Sequence, residues 1–165
     1  MSDKVIPLPW LQSIITEKKM PDSVFFQLTD LLDNSDRSNR VDDEAVLEPL
    51  ISFLAKLGDD VIFAFDDKMA ELLYALDTKD IKERMNKENA MEYSADDFLY
   101  ARCVALVNGE SLYNSIVSGT RKLSWNLEYR PILYVPAKAW ARLHNESRNQ
   151  YPHKYSYEVF DSIGR

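Results

Sequence analysis

The side chains with the most chemical potential in this 165-residue chain are acids that come in pairs. Asp-Asp dipeptides stand at 42–43, 59–60, 66–67 and 96–97, and clustered carboxylate oxygens are what a hard divalent cation selects. Three of the four pairs fall at expected helix starts, where a carboxylate favours the exposed N–H groups without any metal. Helix capping therefore accounts for most of them, and a metal-dependent enzyme is kept as a third reading of the chain.

The other reactive groups are few. Cys103 is the sole cysteine and lies in the most apolar stretch of the sequence, where a thiol acts as a small core residue. His144 and His153 stand among polar residues with no acid or nucleophile nearby in sequence, so both read as surface histidines. HExxH, CxxC, GxSxG, Walker-loop and EF-hand patterns are absent. The expectation is a protein that is not an enzyme and uses no cofactor or metal.

Arg102 is the only charge between Phe98 and Val107. A guanidinium on so apolar a helix must find an acid partner or reach a cleft, and both readings stand: a core arginine that holds two helices in register, or a binding-cleft arginine. Trp10, Trp125 and Trp140 suit packing, and the latter two lie in the basic C-terminal part of the chain where they can anchor a partner.

Charge is unevenly placed along the chain. Residues 22–97 hold 20 Asp and Glu against 8 Lys and Arg, whereas residues 111–165 hold 4 acids against 8 bases, and the whole carries a net charge of -7. Such a balance disfavours nucleic acid and favours encounter with a basic protein. Asp60, Asp67 and Glu71 are the acids expected to meet it, because they lie opposite the apolar stripe Ile62, Phe65, Met69, Leu72 and Leu76. The bland alternative is that these acids only solvate the outer face of a helix.

The elements that position these groups read as helices. Pro9, Asp22 or Ser23, Asp42 or Asp43, Asp59 or Asp60, Ser94 and Pro136 each stand at or just inside the start of a run with helical spacing. Ser94 and Asp97 resemble a capping box, and Gly58 and Gly109 close two of the helices. Pro49 should kink the helix that starts near Asp43, or postpone its start. A short helix is expected at 112–117. The run ILYV at 132–135 could be a strand, but it has no evident partner strand.

These signals predict one all-α domain over residues 1–165, with six to eight helices around the helix at 94–107 and an extended polar tail at 146–165. At this length a chain buries roughly 70% of the surface that it exposes when unfolded, so it needs no disulfide or metal to fold. No apolar run approaches the roughly 18 residues of a membrane span and the N-terminus lacks a signal-peptide core, so neither membrane nor export is expected and the location read is cytoplasmic.

Three stretches carry a family resemblance. FFQL at 25–28, LYALD at 73–77 and DFLYARCVALVNG at 97–109 resemble a bacterial family of unknown function. That family's pattern runs from Phe-Trp-x-Leu-Ile through an aromatic-x-x-Leu element to a Phe-x-x-x-Arg helix that ends in Gly. The ending SYEVFDSIGR at 156–165 is similar to the family's Ser-Tyr-Glu close, while Phe26, Asp77 and Arg165 depart from its aromatic positions. The resemblance implies a helical, cytoplasmic bacterial domain of a type found beside polymorphic toxin genes as the immunity partner, and it supplies no catalytic residue. The expected function is thus an immunity protein that binds and neutralises a cognate toxin domain by covering its active site. The alternative is a non-enzymatic regulatory or adaptor domain that binds another protein.

Overall fold

The computed structural model describes residues 8–32, 43–87, 94–123 and 129–155. Among them the fold is all-α: α1 (Leu8–Glu17), α2 (Asp22–Thr29), α3 (Asp43–Leu57), α4 (Asp59–Leu76), α5 (Lys79–Lys87), α6 (Ala95–Val107), α7 (Glu110–Ser118) and α8 (Val135–His144). Two short 3₁₀ helices, Arg130–Tyr134 and Arg148–Gln150, complete the set. No described helix is long and apolar enough to cross a membrane.

The chain divides into two compact units, residues 1–69 with 134–153, and residues 70–133 with 154–165. In the first unit α3 packs against α8, and α8 against the 3₁₀ turn that follows it. Its core takes Ile14 from α1, Phe25 and Leu28 from α2, Leu47, Leu50 and Leu54 from α3, and Ile62, Phe65 and Met69 from α4. Phe25 stacks on Phe65 with ring centroids 4.7 Å apart, so the FFQL segment serves the core. α3 runs unbroken through Pro49, which stands exposed on its outer side. A later helix start, one of the two outcomes expected of that proline, does not occur.

In the second unit α6 packs against α7. α6 opens with the expected capping box: the Ser94 hydroxyl accepts from the Asp97 N–H, and the Asp97 carboxylate accepts from the Ser94 N–H. Eight α6 residues are buried, from Phe98 to Val107, among them Arg102 and Cys103. α5 is the element that hydrophobic spacing hides, because only Ile81 and Met85 of its nine residues are buried apolar groups. Thr78 starts it by accepting from the Ile81 N–H. The ILYV run is helical: Arg130–Tyr134 is a 3₁₀ turn that leads directly into α8, with Pro136 in the first turn of that helix.

Candidate functional site

The apolar stripe of α4 is inward as expected, with Ile62, Phe65, Met69, Leu72 and Leu76 all at most 3% exposed. The three acids placed opposite it face outward. Asp60 and Asp67 are half-buried in the first unit, and Glu71 is exposed in the second. Asp60 accepts from Lys18 Nζ at 2.8 Å, and Lys18 itself sits at φ 56 just beyond the end of α1. Asp60 and Asp67 are two helical turns apart, about 10.5 Å along one side of α4.

A second set of side chains gathers on the neighbouring side of the same stretch of α4, where Asp59, Phe63 and Asp66 recur at helical spacing. Segment 140–153 lies against it. His144 Nε2 is 2.7 Å from Asp59 Oδ1, and the Tyr151 hydroxyl donates to Asp66 Oδ2 at 2.8 Å. Tyr151 is the hub of an aromatic group: Phe63 lies at 6.1 Å, Trp140 at 5.9 Å and His153 at 4.9 Å between ring centroids. Trp140 also lies over His144 at 4.7 Å. Tyr151 and Asp66 are buried, Trp140 is half-buried, and Phe63 and Leu143 are exposed.

Trp140 is the one residue of the expected partner surface found in this cluster. Asp59, Phe63, Asp66, His144, Tyr151 and His153 were not singled out for it by their sequence positions. The two histidines read as isolated in sequence, and the fold gives them neighbours from 85 residues away and from the tail itself. The usable signal was the placement of Asp59, Phe63 and Asp66 at i, i+4 and i+7, which puts two acids and an aromatic ring on one helix side.

Arg102 sits in the other unit and is 6% exposed. Its guanidinium donates to the Leu73 carbonyl at 2.8 Å and lies 4.6 Å over the Phe98 ring. The Phe-x-x-x-Arg spacing thus makes an i, i+4 cation–π pair on α6. Leu73 is in the last turn of α4, where carbonyls run out of intrahelical donors, and the Asp77 N–H bonds Tyr74 instead. Tyr113 likewise donates to the Leu72 carbonyl at 2.7 Å. Arg102 therefore caps a buried helix end, which also places its charge favourably at the negative end of that helix. Trp125 lies outside the described residues, as does the ending at 156–165. Among the described residues no group of three or more His, Cys, Asp or Glu side chains is placed to hold a metal ion.

A family of proteins of unknown function, DUF4240, matches residues 20–142. The chain belongs to this family. The matched span takes in α2 to α7 and nearly all of α8, and so includes Trp140 and the α4 acids. No curated protein and no solved structure matches the chain.

Proposed function

We propose that this member of the DUF4240 family is an immunity protein, a cytoplasmic binding protein that neutralises a cognate bacterial toxin domain by covering a basic active site. The observation that carries the reading is the first half of α4, where residues 59–67 hold four aspartates and no base. Asp60 and Asp67 on its outer side supply a field that speeds encounter with a basic surface. Beside them, half-buried Trp140 and exposed Phe63 supply apolar area of the kind that anchors protein interfaces. On this reading the chain catalyses nothing. Glu71 and Arg102 fall in the second unit, where Arg102 serves the fold and Glu71 adds to the acidic charge.

The reading is tested by co-expression. The product of the gene next to this one, expressed alone in a susceptible cell, should arrest growth, and co-expression of this chain should restore it. A neighbouring product that is harmless, or growth arrest that this chain does not relieve, would remove the immunity reading.

A further inference from the structure

We infer that the patch formed by Phe63, Trp140 and Leu143, with Asp59 at its edge, takes an arginine side chain presented by the basic partner. The inference rests on the binding reading above and names the chemistry of the group that anchors it. Phe63 is 36% and Leu143 42% exposed, and Trp140 is half-buried, less open than either. Phe63 and Trp140 flank the same Tyr151 ring, so they border one area of surface. Leu143 is three residues from Trp140 on α8 and shares its side.

The occupant follows from charge and shape. A purely apolar ligand would leave the Asp59 carboxylate, and the field of nearby Asp60 and Asp67, facing an uncharged body, whereas a cation answers them. The adjoining side of α4 already draws in a cation of its own chain, since Lys18 reaches Asp60 from a left-handed backbone position. Asp59 is 41% exposed at the side chain and uses Oδ1 toward His144, and its carboxylate has a second oxygen with which to accept from a guanidinium. Arginine fits better than lysine: its planar, weakly hydrated guanidinium stacks on aromatic rings and bonds carboxylates in a fork, while an ammonium holds its water more tightly.

The probes are hexa-arginine and hexa-lysine, which carry the same charge, titrated at low salt into the full chain with ¹⁵N-labelled tryptophan. The three indole N–H resonances are assigned through the single Trp→Phe variants. Hexa-arginine should move the Trp140 resonance and bind at least about tenfold more tightly than hexa-lysine. Asp59→Asn should weaken hexa-arginine several-fold, and Phe63→Ser should do the same, so the result does not depend on a Trp140 variant that folds. Equal affinity for the two peptides, or binding that leaves Trp140 unmoved, would overturn the arginine site. The two proposals fail separately. Toxin neutralisation that survives Trp140→Ala and Phe63→Ser would overturn the arginine anchor alone, whereas arginine binding without any toxin protection would overturn the immunity reading alone.

Discussion

The Tyr151 hydroxyl donates a 2.8 Å hydrogen bond to Oδ2 of Asp66, and both residues are buried. A buried carboxylate is costly unless its oxygens are bonded, so this tyrosine is a structural tie between the C-terminal segment and α4. Tyr151→Phe keeps the ring and its aromatic neighbours but removes this hydrogen bond from a buried carboxylate. The expected loss is about 1–3 kcal/mol, read as a lower urea midpoint with an unchanged slope. A midpoint that stays put would show that this bond contributes no stability.

Arg102→Met keeps much of the stem and removes the donor to Leu73. With the carbonyl left in the interior, stability should fall by about 1–3 kcal/mol, together with loss of the contact over Phe98. Thermal unfolding followed by circular dichroism checks it. An unchanged melting temperature combined with lost partner binding would move Arg102 from the fold to the binding surface.

Arg142 grips Glu48 with both guanidinium nitrogens, at 2.5 and 2.8 Å, and ties α8 to α3. The hydrogen bonds from Arg142, opposed by a smaller effect of burial, hold the Glu48 carboxyl below its ordinary value of 4.5. A depressed carboxylate gives stability that is present above the unfolded pKa and is lost as the pH falls through the folded one. Arg142 is raised by the same bonds and stays charged throughout. Glu48→Gln should therefore cost at most about 1 kcal/mol at neutral pH, because the pair is exposed and screened. Its urea midpoint should converge with that of the parent as the pH is lowered through and beneath 4.5. A gap that persists unchanged in strong acid would show that the Glu48 charge is not what the substitution removes.

Gly119 ends α7 at φ 87, and a Cβ there would meet Arg84 at 2.8 Å. Arg84 is the partner of Asp80 across one turn of α5. Gly119→Ala should cost about 1–2 kcal/mol from the left-handed backbone, while Arg84 can move aside because the atom met is the end of a flexible side chain. Chemical denaturation of the variant measures it, and a stabilised protein would be the contrary result.

Helix order was legible in the sequence wherever caps and apolar spacing agreed, as in α4 and in the Ser94 capping box. α5 was not, since two buried apolar residues in nine make too thin a stripe to stand out among lysines and acids. ILYV was ambiguous because a short apolar run has no period of its own, and only its junction with Pro136 shows it to be helical. The sequence marked the outward acids of α4 and Trp140, but not the bonded pairs. Asp59 with His144 and Asp66 with Tyr151 are brought together across 85 positions by tertiary packing, which no local spacing encodes. Of the adjacent acids Asp66 and Asp67, one is buried and the other half-buried, a difference set by what packs on each side of the helix.

On the proposed function, the acidic side of α4 steers a basic partner to this chain. Stopped-flow association with the product of the adjacent gene, at low and at physiological salt, tests it most directly when the parent is compared with Asp60→Lys/Asp67→Lys, and Glu71→Lys is measured separately. Each exposed pair is worth no more than about 1 kcal/mol, so the effect belongs in the association rate of the double variant. Slower association, a flatter dependence on salt and an unaltered helical spectrum are expected of the double variant. Association at the parental rate in low salt, by a double variant that remains folded, would contradict this steering.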